Sequence, residues 1–411
     1  MISEGKGEKM KNILIVINRV GIGSGAARVA TQLGTNLEIR GYNVFYLPYR
    51  KEGKMYNFKG NIIYLHEESH SKDKLPFQFT LRLLKIAKSI AKICEEKRID
   101  TIISFLRTKN LTSILSKVIF KKNIKVIASV RNNPKVNPEG GVSKIDKILE
   151  QILYTRSDKI IPLSKGVEYL LNTEWGLENT RTIYNPYPLE RYKKLGSKPI
   201  KDKHKYIFDS DFIFINIGRL HKQKGQWHLL RSFKKVTEKH ENSKLVILGE
   251  GPLKRNFLKL IKKLQIEKKV ILLGNVENVF PYLRNSDCFI FSSLHEGFGN
   301  AQIEALSQNL PVISADCVAG PRDILCPELD MGEEVDYPYY GEYGILSKPF
   351  DQNMSLESID EKALTEEEKT LAHAMMKVME NERLRERYSN GVERVKDFEP
   401  EKIIDQWEEE I

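Results

Sequence analysis

Short apolar runs alternate with longer stretches of helical periodicity along most of this chain. In the first half the runs are NILIVIN from Asn12, NVFYL from Asn43, NIIYL from Asn61, DTIISF from Asp100, IKVIASV from Ile124 and DKIIPL from Asp158. In the second they are FIFINIG from Phe212, KLVILG from Lys244, KVILLG from Lys269, CFIFSS from Cys288 and PVIS from Pro311. Runs rich in Ile and Val, apolar at successive positions, suit strands buried on both faces of a parallel sheet. Helical patterns between them predict βαβ units and helix-covered sheets. The expected fold class is therefore α/β, with two doubly wound domains. The polar, Pro-containing stretch from Asn185 to Asp211 falls between them and is expected to be a linker. Helical sequence from about Asn390 to Ile411 is expected to pack back on the first domain. The expected domains are residues 1–190 with 395–411, and residues 191–394. The acidic, Tyr- and Pro-rich stretch from Cys326 to Tyr343 is expected to be a surface loop.

Two strand-to-helix connections are prepared for an anion. Gly218 ends one strand and Arg219-Leu220-His221-Lys222-Gln223-Lys224-Gly225 follows, before a helix expected near Gln226. Arg219 and Lys224 thus stand at the carboxyl edge of a sheet, where α/β ligands collect, and their charges suit a diphosphate. Taken alone they are also two exposed basic residues in a loop. The second connection runs from Leu294 through Ser314 and carries Glu296 and Glu304 around Gly297-Phe298-Gly299-Asn300. Glu296 belongs to the loop and Glu304 lies about one turn, roughly 3.6 residues, inside the following helix. Free N–H groups at the helix start can meet an anion. Hydroxyls, ribose and diphosphate, the parts of a nucleotide sugar, match this set. In the first half Gly21, Gly23 and Gly25 let the backbone approach a ligand between Arg19 and Ala30; alone this is equally a tight turn.

The succession IGRLHKQKG, VILGEGPL, SSLHEGFGNAQIEA and PVISADCVAGPRDIL resembles glycosyltransferase family 4, whose members are retaining nucleotide-sugar transferases of the GT-B fold. The resemblance covers most of the second half, and touches the first through the Gly loop and the IYNP boundary at Ile183 to Pro186. It implies two Rossmann-like domains facing across a cleft. It implies that Glu304 meets the ribose, that Glu296 meets the donor sugar, and that Gly297, Phe298, Gly299 and Asn300 hold sugar or phosphate. Arg219 and Lys224 are implied at the diphosphate, Gly23, Ser24 and Gly25 opposite it, and Glu250, Gly251 and Asn275 near base or sugar. Glu296, Arg219 and Lys224 are the expected catalytic groups. The implied reaction moves a hexose or N-acetylhexosamine from a nucleotide diphosphate sugar, taken as UDP on family usage, to a glycan or polyprenyl-diphosphate-linked acceptor. No cofactor and no metal are expected. Two departures stand out: Ser24-Gly25-Ala26-Ala27 lacks the Gly-Gly-x-Glu of many relatives, and Arg131-Asn132-Asn133-Pro134 follows the strand where many carry a histidine. Arg131 and Asn132 are taken as acceptor-side residues, without the histidine's role.

The net charge of +11 is uneven. The first 190 residues hold roughly 32 Lys/Arg against 18 Asp/Glu, leaving about 34 against 37 for the rest. A positive first half suits nucleic acid, a phospholipid surface or a phosphorylated acceptor, or is simply a solvated lysine-rich face. An amphipathic helix over Phe79 to Ile99 would set Arg82, Lys85, Lys88 and Lys92 opposite Leu83, Ile86, Ile90 and Ile93. Arg82, Lys85 and Lys92 are therefore candidate acceptor-side or membrane-facing groups. No recognised nucleic-acid module appears, and none is expected as a partner. No run approaches the ~20 apolar residues of a membrane span, and the amino terminus has no apolar leader. Four cysteines without a CxxC pair suit a reducing compartment, so a cytoplasmic protein, peripheral on the inner face of the cell membrane, is expected. Asp209-Ser210-Asp211 spells a metal motif of another transferase fold but lies in a turn before a strand; His66 and His70 lack a third ligand. The competing readings are a sugar-nucleotide epimerase or hydrolase on the same fold, and a basic nucleic-acid-binding protein.

Overall fold

Apolar strands with no polar face need helices on both sides, and the computed structural model supplies them. It describes residues 11–21, 25–50, 55–65, 76–120, 123–132, 144–209, 212–351 and 363–411. Gly23, Ser24, His66, His70, Asn133, Pro134, Ser210 and Asp211 lie outside the described residues. The chain divides into two compact units, Met1–Leu163 with Val167–Pro186 and Pro400–Ile411, and Ser164–Gly166 with Tyr187–Glu399.

In the first unit strands β1 (Asn12–Ile17), β2 (Asn43–Pro48), β3 (Asn61–Ile62), β4 (Thr101–Phe105), β5 (Lys125–Val130) and β6 (Lys159–Pro162) form one sheet in the order β3-β2-β1-β4-β5-β6. Every pair is parallel. The connecting helices are α1 (Gly25–Ile39), α2 (Pro76–Glu96), α3 (Arg107–Leu115), α4 (Lys144–Tyr154) and α5 (Lys165–Trp175). The order reverses between β1 and β4, because β2 and β3 are laid down on one side of β1 and β4 to β6 on the other. On α2, Leu83, Ile86 and Ile90 are buried, while Lys85, Lys88 and Lys92 are exposed.

The second unit repeats the plan. Its strands are β7 (Phe212–Ile217), β8 (Ser243–Leu248), β9 (Val270–Gly274), β10 (Cys288–Phe291), β11 (Val312–Ala315), β12 (Tyr339–Tyr340) and β13 (Ile345–Ser347). They run in the order β12-β13-β11-β10-β7-β8-β9, parallel except for β12 against β13. Here the order reverses between β7 and β10. The helices are α6 (Leu189–Gly196), α7 (Gln226–Thr237), α8 (Lys254–Lys263), α9 (Phe280–Arg284), α10 (Asn300–Leu306), α11 (Pro321–Leu325), α12 (Glu366–Glu380), α13 (Glu382–Arg387) and α14 (Gly391–Val395). The last helix, α15 (Pro400–Glu409), belongs to the first unit. Its Ile403, Ile404 and Trp407 join Ile13, Ile15 and Phe105 in that unit's core, and Arg181 pairs with Glu409 and Glu410 at 2.6 and 2.9 Å.

Two expectations are corrected. The stretch from Asn185 to Asp211 is not a linker over its described part: α6 and a 3-10 segment, Asp202–Phe208, fill it. Leu189 and Tyr192 stand one helical turn apart, Ile207 lies in the 3-10 segment, and all three are buried inside a mostly charged stretch. Tyr192 stands 4.5 Å from Phe280, and Asn278 donates to the Leu195 carbonyl at 2.9 Å. The unit boundary therefore falls at Pro186/Tyr187. The stretch from Cys326 to Tyr343 is also more than a surface loop. Cys326 and Leu329 are buried and Tyr339–Tyr340 extend the sheet. Arg322 grips the segment by donating to the Asp330 and Glu333 carbonyls at 2.9 and 2.7 Å.

Helix α7, which begins at the end of the Arg219 to Gly225 loop, is anchored from behind. Its His228 and Arg231 both donate to Glu368 of α12, at 2.8 and 2.9 Å, and all three side chains are at most 4% exposed. The Phe350 ring stacks on His228 at 4.3 Å. Glu368 also closes a capping box with Thr365. Removing one partner of such a network leaves a buried charge uncompensated. Glu368→Ala should therefore destabilise the second unit by about 3–5 kcal/mol. The check is the denaturant midpoint of that unit's transition; an unchanged midpoint would show that the network carries no stability.

Candidate functional site

Parallel strands bury both faces, so polar groups reach a ligand only from the loops at their carboxyl ends, and best where the strand order reverses. In the second unit that place is between β7 and β10. The loops leaving these two strands carry Arg219 to Gly225 and Ser292 to Gly299.

These loops are laced together. Lys224 Nζ donates to Glu296 Oε1 at 2.5 Å, and its ammonium lies 5.6 Å from the Phe291 ring centre. Leu294 N donates to the Gln223 carbonyl at 2.8 Å, Gln223 Nε2 to the His295 carbonyl at 3.0 Å, and Ser292 Oγ to the Lys224 carbonyl at 2.9 Å. Gly225 turns into α7 with φ of 56°, and a Cβ there would sit 2.2 Å from the Ser292 carbonyl. Buried Asn216 and Gln226 brace the turn from below: Gln226 donates to Asn216 at 3.1 Å, and Asn216 to the Ile290 carbonyl at 2.8 Å. Burial holds the His295 imidazole below its ordinary pKa, favouring the neutral ring beside the ion pair.

Arg219, exposed, opens on a cleft of about 200 Å³ at the ends of β7, β8 and β9, lined also by Gly218, Gly249, Asn275, Val276 and Val279. The structure thus brings Arg219 and Asn275 to one cleft and Lys224 and Glu296 into one ion pair. Glu250 accepts from Lys254 at 2.8 Å, and Gly251 lies against the Leu220 backbone. Beyond the ion pair, Phe298 is buried, Gly299 caps α10 with φ of 107°, and Asn300 begins the helix. Glu304 sits half-buried on α10, after Gln302 and Ile303, which are fully buried. In the first unit Gly25 begins α1, and Arg131 is buried after β5, donating to Asn185 at 3.0 Å and lying 5.0 Å over Phe105. Asn132 beside it is exposed.

Several supporting residues were not singled out from the sequence. Tyr187 hydrogen-bonds to Asn300 and stacks on Phe298 at 6.2 Å. Gly320 presses on the same loop: a Cβ there would fall 1.6 Å from the Phe298 carbonyl oxygen. Gln302, fully buried behind Gly299, has neither amide atom hydrogen-bonded among the described residues. Arg322 clasps Asp316 at 2.9 Å at the end of β11, where Tyr337 also bonds Asp316 at 2.5 Å. Gly320, Asp316 and Arg322 lie within the motif PVISADCVAGPRDIL, whereas Tyr187 depends on a partner far along the chain. Burial and the Glu296 and Asp316 charges push the pKa of the Cys317 thiol up, which disfavours the thiolate. Among the described residues no cluster of three or more His, Cys, Asp or Glu is arranged to hold a metal ion.

The comparisons with known proteins fall on the same elements. Residues 197–336 match the model for glycosyl transferases group 1, and residues 23–191 match that for Glycosyltransferase Family 4. An uncharacterized glycosyltransferase of Methanocaldococcus jannaschii is 46% identical over 374 residues, covering 89% of this chain and 90% of that one. The N-acetylgalactosamine-N,N'-diacetylbacillosaminyl-diphospho-undecaprenol 4-alpha-N-acetylgalactosaminyltransferase of Campylobacter jejuni is 29% identical over 327 residues, 79% of either chain. The crystal structure of Anabaena HepE in complex with UDP superposes with a TM-score of 0.70 at 15% identity, over 97% of this chain and 98% of that one. The chain is a glycosyltransferase of the GT-B fold and belongs to family 4.

Proposed function

We propose that this chain moves a hexose or N-acetylhexosamine, with retention at the anomeric carbon, from a UDP-sugar to a glycan or polyprenyl-diphosphate-linked acceptor in surface polysaccharide or glycoconjugate synthesis. The observation that carries this reading is the Lys224–Glu296 pair at the point where the second sheet reverses, with Arg219 of the same loop opening on the neighbouring cleft. As the glycosidic bond breaks, positive charge grows on the sugar and negative charge on the departing diphosphate. Arg219 is poised to meet that diphosphate, and Lys224 to divide its charge between Glu296 and the leaving group. With two cations in these roles the reaction needs no metal. Glu304 is assigned to the ribose and Glu296 to the donor sugar. The UDP in the Anabaena structure and the undecaprenyl diphosphate in the Campylobacter enzyme's name support the donor and acceptor classes.

The first unit supports work at a membrane surface, on its cytoplasmic side. Helix α4, from Ile148 on, carries apolar residues outward although Tyr154 is buried. Its Glu150 is buried and paired with Arg107 at 2.5 Å, whereas Ile148, Leu149 and Ile152 face outward at 54%, 54% and 52% exposure. With the exposed lysines of α2, that face suits an anionic bilayer. No helix among the described residues is long and apolar enough to cross a membrane.

Three outcomes follow. Arg219→Ala should lower kcat by about 10²–10³ while changing donor affinity less; wild-type turnover would remove Arg219 from the diphosphate. Glu304→Ala should weaken UDP binding by about 1.5–3 kcal/mol, read by calorimetry, and unchanged affinity would contradict the ribose role. In the turnover assay, rapid consumption of donor without acceptor would favour an epimerase or hydrolase. Reversing charge at Lys85 and Lys92 together with Ile148→Ser and Ile152→Ser should abolish sedimentation with phosphatidylglycerol vesicles and spare UDP binding. Full vesicle binding by that variant would make both faces ordinary solvated surface.

A further inference from the structure

The first unit has its own reversal of strand order, between β1 and β4, and a lysine stands there. After β1 comes Asn18; after β2 come Tyr49 and Arg50, tied back by Tyr49 N to the Ile17 carbonyl at 3.0 Å and Arg50 N to the Asn18 carbonyl at 2.9 Å. After β4 the chain turns at Leu106 into α3, whose third residue is Lys109. Lys109 Nζ donates to Asn18 Oδ1 at 3.1 Å and lies 4.9 Å over the Tyr49 ring, so it bridges the ends of β1 and β4. Tyr49 is held in turn by Thr112, one turn further along α3, at 2.5 Å. The arrangement parallels Lys224 in the second unit, which bridges the ends of β7 and β10.

The difference is the missing acid. Lys224 has Glu296, and the neighbouring Arg107 has Glu150. Among the described residues no carboxylate pairs with Lys109 or with the Arg50 side chain. Burial pulls the Lys109 ammonium down to about 8, and the charges that add to this are Arg50 and Arg82, both positive. Lys109 also occupies the first turn of α3, where the helix field favours an anion. The turn before it is strained, since Leu106 takes φ of 76° and ψ of 153°, a region that residues with a side chain rarely adopt. Among the described residues Lys109 is thus half-sunk beside two other cations at a helix start, delivered by a strained turn, and its own partners there are the neutral Asn18 and Tyr49. Such local conflict marks a functional position.

We propose that Lys109, Arg50 and Arg82 form a phosphate-binding site at the strand reversal of the first unit, which takes the phosphate or diphosphate group of the acceptor. The assignment to an acceptor rests on the proposed function; the anion site itself does not. Arginine offers paired N–H groups to phosphate oxygens, and lysine a point charge beside them.

The test uses the full chain with inorganic pyrophosphate as probe, titrated with saturating UDP present so that the donor site is filled. Wild type should bind pyrophosphate. Lys109→Met and Arg50→Gln should each weaken it by about 10-fold or more, leave UDP affinity unchanged and, for Lys109→Met, melt no lower than wild type. With a diphosphate-linked acceptor both variants should raise KM more than they lower kcat. A Lys109→Met protein that melts several degrees lower and binds pyrophosphate as wild type does would make this a structural lysine and overturn the proposal. So would a variant that loses phosphatidylglycerol vesicles while keeping pyrophosphate, because the site would then serve lipid headgroups. If wild type fails to bind UDP, the proposed function falls, but the pyrophosphate titration without UDP still decides this site.

Discussion

Both sheets are parallel and covered on both faces, so each can present chemistry only at the ends of its strands, above all where the strand order reverses. In the second unit that constraint concentrates the site into two loops. The Lys224–Glu296 ion pair joins them, and backbone and side-chain bonds from Gln223, Ser292 and Leu294 lace the same two loops. Asn216 and Gln226 brace the turn from inside the sheet. Gly225 and Gly320 let backbone pass where no side chain fits. Behind them the His228–Arg231–Glu368 network fixes the helix that the loop feeds.

The pairing of Lys224 with Glu296 also shapes how the site would act. An ammonium held by a carboxylate is already partly neutralised, whereas Arg219 opens on the neighbouring cleft. The two cations therefore differ in readiness. In the proposed reaction Arg219 would offer a full charge to the diphosphate, and Lys224 would gain from negative charge developing as the bond breaks. An interaction that strengthens toward the transition state is the kind that raises kcat.

Much of this was legible from sequence because the deciding features are local. Strands buried on both faces stand out as apolar runs, and each of the eleven runs named above contains a strand, though β3 is only two residues long. Arg219, Lys224 and Glu296 were singled out because they lie in the loops that leave such runs, and Glu304 because it lies in the helix that follows one. What escaped depends on distant partners. Tyr187 meets Asn300 across more than a hundred residues, and Arg231 and His228 close on Glu368 across a longer span still. The 185–211 stretch was misjudged because its charge and prolines mask a few buried apolar residues, Leu189 and Tyr192 on one helix and Ile207 beyond it. Lys109 gave no signal: one lysine at a helix start is unremarkable until the fold surrounds it with Arg50 and Arg82.

The central claim is that the second unit holds the donor at its strand reversal, through the loops after β7 and β10. Hydrogen–deuterium exchange of the intact protein with and without UDP tests it directly. Backbone amides over residues 217–226 and 294–306 should slow on addition of UDP, while those of α12 and α13 stay unchanged. Protection confined to the first unit, or absent from both loops at saturating UDP, would contradict the account.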